Sequence, residues 1–336
     1  MNASWLFGAV VLVLVAALAT AFLIVLSAPL LRRYALARPN ARSSHVAPTP
    51  QGAGAAVMLV TIAASLIASA ITGAPLGELV VVFAAAAALA LVGAIDDIRV
   101  LAAFPRLVVQ LAAAVTAVIT LPDALRILEP LPFLVERVIL ILAIVWFVNL
   151  VNFMDGIDWI TVAEVVPVTG ALVVLGALGQ VPEVISLVAL VLGGSMIGFA
   201  PFNRPVASVF LGDVGSLPIG LVIAWMLIVT AGEGHLVAAI LLPLYYLADS
   251  TITLGKRLAR GERVWQAHRS HYYQRATTKG FTVLSVVRRV FVVNLVLGGI
   301  AIATVVVPGV AVDLVGLAAG GGVVAGFLRS LSKGRA

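Results

Sequence analysis

The sequence of 336 residues contains no cysteine and only 15 acidic residues, against 21 lysines and arginines. Without cysteine, neither a disulfide nor a thiolate metal site can form. With 11% charged and 62% hydrophobic residues, the chain does not have the composition of a soluble domain of this length. Because charge is so scarce, the places where it gathers carry most of the functional information.

Long apolar runs fill most of the chain. Eleven have the length of a transmembrane helix: 6–29, 53–72, 79–95, 105–121, 134–150, 161–179, 183–199, 214–231, 235–254, 285–306 and 309–328. The polar gaps are too short for a soluble domain, and the runs are too long for β-barrel strands. The sequence therefore predicts an all-α, polytopic membrane bundle of about 10 to 11 helices, forming one domain over residues 1–336. The first run is too long for a signal peptide core, so we expect it to be retained.

The distribution of lysine and arginine predicts the orientation of this bundle. Loops on one side hold 19 of the 21 basic residues, and the other side holds only Arg126 and Arg137. By the positive-inside rule the basic side faces the cytoplasm. The net charge of +6 suits anionic membrane lipid and an anionic substrate, and nothing in it indicates nucleic acid.

Carboxylates gather at helix ends on the basic side. The clusters are Asp96 with Asp97, Asp155 with Asp158, and Asp213 between two glycines. Ionisable groups near membrane depth usually mark a functional site. Carboxylate oxygens suit a hard divalent cation, so the clusters favour Mg²⁺, or Mn²⁺, holding phosphate oxygens. The alternative for each is a helix end or, for Asp213, a helix cap.

The polar residues around these clusters lead to further expectations. Asn149, Asn152 and Asp155 are three residues apart, so a continuing helix would align them on one face. Hydrogen bonding between helices is the alternative role for each asparagine. Gly156 is expected to allow a turn that returns Asp158 to this face, and the glycines beside Asp213 to let a ligand approach. Amides at the start of the eighth helix could also face an anion.

Two basic loops on the same side carry donors suited to phosphate. The donors of the first loop include Arg38, Arg42, His45 and Thr49. Those of the second are His268, Arg269 and His271. We expect the two histidines of the second loop to share a helical face. Neighbouring arginines would repel zinc, which favours phosphate recognition. The alternative is a loop that only anchors the chain to anionic lipid.

Taken in order, these motifs resemble the polyprenyl-phosphate N-acetylhexosamine-1-phosphate transferases, within glycosyltransferase family 4. The resemblance rests on Arg42-Ser43-Ser44-His45, Pro48-Thr49-Pro50, Asp96-Asp97, residues 152–158, residues 210–216 and His268-Arg269-Ser270-His271. It implies transfer of a sugar 1-phosphate from a UDP-N-acetyl sugar to undecaprenyl phosphate, with release of UMP. The implied place is the cytoplasmic face of a bacterial inner membrane.

The resemblance also implies residue roles. Asp96, Asp97, Asp155 and Asp213 would be catalytic. Mg²⁺ would bind Asp213 with Asp96 and Asp155, and whether Asp96 or Asp97 accepts a proton stays open. The substrate-binding residues would be Asn152 and Asp158 at the uridine, His268, Arg269 and His271 at the diphosphate, and Arg38, Arg42, His45 and Thr49 in the first loop, where the lipid phosphate is expected.

Several alternatives remain at this point. The first and last motifs look like the branch that builds O-antigen lipopolysaccharide or related glycans. The peptidoglycan branch, which uses UDP-MurNAc-pentapeptide, has a lysine in the first loop and a run of histidines in the last. A membrane prenyltransferase would leave the Asp213 motif unexplained. A secondary transporter would place carboxylates near helix centres. The sugar (UDP-GlcNAc, UDP-GalNAc, UDP-QuiNAc or UDP-FucNAc) and the oligomeric state, including a homodimer, are left open.

Overall fold

The computed structural model describes residues 3–37, 48–263 and 268–333. Within these ranges the helices are α1 (Ala3–Tyr34), α2 (Gly54–Thr72), α3 (Gly77–Ile98), α4 (Ala103–Ile119), α5 (Phe133–Met154), α6 (Ile160–Ala177), α7 (Glu183–Phe199), α8 (Asp213–Thr230), α9 (Leu236–Leu241), α10 (Leu244–Ala259), α11 (Tyr272–Thr278), α12 (Val283–Val306) and α13 (Val310–Lys333). Strands β1 (Leu36–Ala37) and β2 (Thr49–Pro50) pair antiparallel. Arg38, Arg42 and His45 lie outside the described residues.

The prediction of an all-α membrane bundle is confirmed. Among the described residues, eight helices are long and apolar enough to cross a membrane, and α4 and α7 are shorter apolar helices. The protein is therefore a multi-pass membrane protein. The predicted runs 53–72 and 183–199 match α2 and α7 to within one residue, since the polar gaps beside them are sharp.

The predicted single span at 235–254 was wrong. A π-helical turn, Ala231–His235, follows α8, and Gly234 within it has a left-handed φ of 90°. Helix α9 then runs for only 6 residues, and α10 begins directly after Pro243. Proline has no amide proton to donate and its ring clashes with the preceding turn, so it interrupts the helix. The apolar run continues across this break and therefore hides it.

Helix α8 lies at the centre of the bundle, with every residue after Asp213 buried. Small residues bring its first turn against two other helices. A Cβ at Gly93 of α3 would lie 2.3 Å from the Asp213 carbonyl oxygen, and one at Gly54 of α2 would lie 2.2 Å from the Gly215 Cα. Close contact at small residues is typical of helices in lipid. The start of α8 is therefore fixed by backbone contacts on two sides.

Candidate active site

The predicted carboxylate clusters meet at one end of the bundle, around a cavity of about 190 Å³. Four carboxylates line it: Asp97, Asp155, Asp158 and Asp213. They come from the ends of α3 and α5, the turn before α6, and the start of α8. Four acidic groups in one small cavity repel one another, so a cation or another compensating partner is expected there.

Asp97 connects α3 to α8. Its two carboxylate oxygens accept hydrogen bonds from the amides of Asp213 at 2.9 Å and Val214 at 3.1 Å. Carboxylates at a helix N-terminus are stabilised by its free amides and dipole. The first two of these amides therefore face an anion, as expected, but that anion is the Asp97 carboxylate and not a ligand. Gly212 is needed here, since a Cβ on it would lie 2.4 Å from an Asp97 oxygen. The space at the glycines beside Asp213, through which a ligand was expected to approach, is thus occupied by other parts of the protein.

Asp96 points away from Asp97, as the spacing of adjacent helical residues predicts. It accepts hydrogen bonds from the Leu101 amide at 2.5 Å and from Arg106 Nη1 at 2.6 Å. The same Arg106 nitrogen lies 3.5 Å from Asp213 Oδ2. Arg106 therefore bridges two of the predicted metal ligands, and Asp96 does not line the cavity. Sequence analysis used Arg106 only for orientation, although its place at the inner end of the fourth run, near Asp96, was a usable signal.

The asparagines near the end of α5 have separate roles. Asn152 donates to Asp213 Oδ1 at 2.8 Å and to Ser216 Oγ at 2.9 Å. Asn149 donates to Gln110 Oε1 at 2.7 Å, which is the interhelical alternative. Helix α5 ends at Met154, and Asp155 is its cap residue with non-helical backbone angles. The helical face predicted for these three side chains thus stops before Asp155.

Asp155 and Asp158 are held by different partners on the turn between α5 and α6. Asp155 Oδ1 accepts from the Thr161 hydroxyl at 2.5 Å, and Asp158 Oδ2 accepts from the Ala207 amide at 3.1 Å. Burial raises the pKa of Asp155 to about 6, the Thr161 hydrogen bond opposes this rise, and the charges of Asp97 and Asp158 add to it. A cation at this cavity would be favoured by the same crowding of charge.

The turn at Gly156 brings Asp155 and Asp158 to the same cavity, as expected from the sequence, and glycine is required there for space. Gly156 is absent from the glycines with positive φ. A Cβ at this position would lie 2.2 Å from the Tyr273 hydroxyl and 2.9 Å from Gln274 Nε2. Tyr273 also donates to the Phe153 carbonyl oxygen at 3.1 Å. Helix α11 therefore lies directly on the turn that carries Asp155.

The histidines of the second basic loop contact each other, but not along a helix. Helix α11 begins at Tyr272, so the prediction of a shared helical face for His268 and His271 was wrong. Their rings stack instead, with centroids 4.9 Å apart. Arg269 lies near Tyr273, and its charge acts on that phenol, as does the charge of Asp155. The loop donors are thus brought to the edge of the carboxylate site.

Thr49 lies beside a second, larger cavity. It is buried in β2, opposite Ala37. The cavity has a volume of about 760 Å³ and includes both Thr49 and Arg32 in its lining. Asp158 lines both cavities, so they adjoin at this residue. Two further residues of the smaller cavity were missed from the sequence, Gln51 and Asn203, because neither stands in an acidic or basic cluster.

The carboxylates of the cavity suit a cation whose remaining ligands would come from the substrate and water. Within the described parts of the chain, no group of three or more Asp, Glu or His side chains is close enough to hold a metal ion. Mg²⁺ commonly uses one or two carboxylates together with water and substrate phosphates. Amide or guanidinium donors occupy both oxygens of Asp97, of Asp96 and of Asp213, but the contact of Arg106 with Asp213 Oδ2 is the longest of these, at 3.5 Å. Asp155, which accepts one hydrogen bond, and Asp213 are therefore the better suited pair.

Comparison with known proteins identifies a family that matches the part of the chain forming this cavity. The model of the family described as Glycosyl transferase family 4 matches residues 79–231. That range runs from α3 to the end of α8 and contains every carboxylate of the cavity.

Curated relatives match over shorter stretches. The phospho-N-acetylmuramoyl-pentapeptide-transferase of Nautilia profundicola is 30% identical over 89 residues, covering 26% of this chain and 25% of the relative. The protein of that name from Desulforapulum autotrophicum is 29% identical over 121 residues, covering 36% and 33%. The one from Cutibacterium acnes is 30% identical over 115 residues, covering 33% and 31%. The chain thus spans about a quarter to a third of the length of these relatives.

Proposed function

Because the chain belongs to glycosyl transferase family 4, we propose that it is a membrane phosphoglycosyltransferase. It moves an N-acetylhexosamine 1-phosphate from a UDP-sugar to undecaprenyl phosphate and releases UMP. This is the first step of a lipid-linked envelope glycan, carried out at the cytoplasmic face of a bacterial inner membrane. The observation that supports it best is the cavity lined by four carboxylates at the end of an apolar bundle.

The reaction exchanges one phosphorus–oxygen bond for another. An oxygen of undecaprenyl phosphate attacks the β-phosphorus of the UDP-sugar, and the bond to the bridging oxygen breaks, so UMP leaves with the electron pair. A phosphate monoester has a second pKa of about 6 and is largely dianionic at neutral pH, so it needs little help from a base. Asp97 and Asp96 are already committed to α8 and to Arg106. Their proposed role is therefore positioning.

Charge neutralisation is the main task left to the protein. Asp213 and Asp155 would hold Mg²⁺ or Mn²⁺, which would offset the negative charge of the diphosphate. His268, Arg269 and His271 would contact the diphosphate from the side of α11. Asn152 orients Asp213 through their 2.8 Å hydrogen bond, and Asp158 stands where the two cavities adjoin, in reach of the uridine end of the substrate.

A second candidate is transfer of phospho-N-acetylmuramoyl-pentapeptide, the first step of lipid-linked peptidoglycan. The activity in the names of the curated relatives favours it. The last basic loop favours the N-acetylhexosamine reaction, because Arg269 and Ser270 separate its histidines. Both candidates share the nucleotide, the lipid and the chemistry, and they differ in the group attached to the sugar.

A panel of donors tests both candidates. Purified protein with undecaprenyl phosphate and Mg²⁺ is given UDP-GlcNAc, UDP-GalNAc, UDP-QuiNAc, UDP-FucNAc or UDP-MurNAc-pentapeptide. UMP release and a radiolabelled lipid product are measured, with Asp213→Asn as the inactive control. We expect turnover with one or more of the first four donors. Turnover with the pentapeptide donor alone would establish the second candidate, and no lipid product with any donor would refute both.

A further inference from the structure

Asp249 of α10 is a fully buried carboxylate that sequence analysis assigned no role. Two backbone amides donate to it, those of Tyr272 at 2.9 Å and Tyr273 at 3.2 Å. The hydroxyls of Tyr245 and Thr253 donate at 3.2 Å each. Donors alone surround the group, which fits a carboxylate, because an ionised carboxyl can only accept hydrogen bonds.

His271 is the fifth partner of Asp249. Its Nδ1 lies 3.3 Å from Asp249 Oδ1. Among the residues the structure describes, it is the one basic side chain within salt-bridge distance of Asp249. A buried carboxylate next to Nδ1 requires a proton on that nitrogen. Asp249 therefore selects the ring form of His271 in which Nδ1 carries hydrogen.

The other ring nitrogen of His271, Nε2, takes no part in the contact with Asp249. The residue is 1% exposed, and within the described parts of the chain Nε2 has no hydrogen-bond partner. The ring cannot turn freely, because it stacks between His268 and Tyr273, at centroid distances of 4.9 and 5.7 Å. A buried polar atom without a partner is destabilising unless a ligand or water meets it.

The position of this ring connects it to the carboxylate cavity. Tyr273, on which His271 stacks, donates to the Phe153 carbonyl and lies against Gly156. Gly156 lines the cavity beside Asp155. Asp249 thus supports His271 and the start of α11, the helix whose Tyr273 contacts the turn that carries Asp155.

We propose that Asp249 is a positioning residue, which pairs with His271 as an imidazolium, so that Nδ1–H is donated to Asp249 and Nε2–H is presented to an anionic oxygen of the nucleotide-sugar diphosphate. The second half of this statement rests on the proposed function. The first half concerns only this pair and holds for any anionic ligand.

The ring form can be measured directly because the chain has only 4 histidines. Protein labelled with ¹⁵N-histidine is examined by NMR in detergent, and His271→Gln assigns the signal. We expect a proton on Nδ1 of His271 in the unmodified protein, and a changed pattern in Asp249→Asn. An unprotonated Nδ1 in the unmodified protein would overturn the proposal even where the variant does not fold. So would a His271 signal that Asp249→Asn leaves unchanged.

Addition of UDP with Mg²⁺ tests the ligand. We expect the Nε2 signal of His271 to shift. UDP-sugar turnover with an unmoved Nε2 signal would overturn the ligand half alone. A shifted signal in a protein that turns over no UDP-sugar would refute the proposed function and keep the Asp249–His271 assignment.

A double-mutant cycle separates positioning from general stability. If Asp249 acts through His271, Asp249→Asn with His271→Gln should lose no more kcat than His271→Gln alone. Thr253→Val is the matched control, since it removes one hydrogen bond from the same carboxylate oxygen without touching the imidazole. Additive losses in the cycle, or an equal kcat loss from Thr253→Val, would show that Asp249 has only a structural role.

Discussion

Asp97 caps the helix that presents Asp213. The carboxylate at the end of α3 accepts hydrogen bonds from the Asp213 and Val214 amides, and these two carboxylates line the same cavity. Two acidic side chains are therefore kept close by backbone amides of one helix start. Asp97 therefore helps to build the site, whereas Asp213 is the carboxylate that we propose as a ligand of the cation.

The first prediction compares these two residues. Asp213→Asn should abolish transfer with little effect on thermal stability, since an amide at this position can still accept from Asn152. Asp97→Asn should lower activity and also destabilise the protein by on the order of 1–2 kcal/mol, because its new amino group would oppose a helix amide. Thermal unfolding in detergent and UMP release measure the two effects. Full activity of Asp213→Asn at low Mg²⁺ would contradict the metal assignment.

The second prediction concerns Arg106, which lies 2.6 Å from Asp96 and 3.5 Å from Asp213. Arg106→Gln should lower kcat by on the order of 100-fold, as expected for loss of a charge-assisted contact. Adding Asp96→Asn removes the carboxylate left without its partner. The double variant should regain stability and not activity. Recovery of both would mean that Arg106 serves only to neutralise Asp96.

The third prediction concerns the fit of α11 onto Gly156. Gly156→Ala would place a methyl group 2.2 Å from the Tyr273 hydroxyl, so α11 must move and the KM for the UDP-sugar should rise. Gly255→Ala is the control, because no atom lies within 4 Å of its added Cβ. Combining Gly156→Ala with Tyr273→Phe removes the nearest atom and should restore part of the loss. Equal kinetics for both alanine variants would contradict this contact.

The fourth prediction concerns orientation, and the absence of cysteine makes the test free of background labelling. Arg263→Cys and Asp123→Cys alter two exposed positions on opposite predicted sides. A membrane-impermeant thiol reagent applied to intact cells should label the second variant alone. Labelling of Arg263→Cys under the same conditions would reverse the predicted topology and move the carboxylate cavity to the outer face.

The sequence was most informative about helix positions and about which acidic residues gather together. Apolar runs fix helices such as α2 and α7 because transfer to lipid depends on local composition. The partners of Asp97 and Asn152 could not be read, since Asp97 pairs across more than a hundred residues and Asn152 across about sixty. Pro243 could have predicted the helix break from the sequence, but hydropathy predicted one continuous span. The stacked pair His268 and His271 shows that a spacing of three residues can bring side chains together without a helix.

The backbone contacts at Gly54 and Gly93 have a consequence for any attempt to change the sugar donor of the proposed reaction. No side chain larger than hydrogen fits at these two points unless the backbone shifts, so α2, α3 and α8 form one closely packed block there. Substitutions inside that block would shift the carboxylates before they reshaped a sugar pocket. A library intended to alter donor choice should therefore leave the three-helix junction untouched.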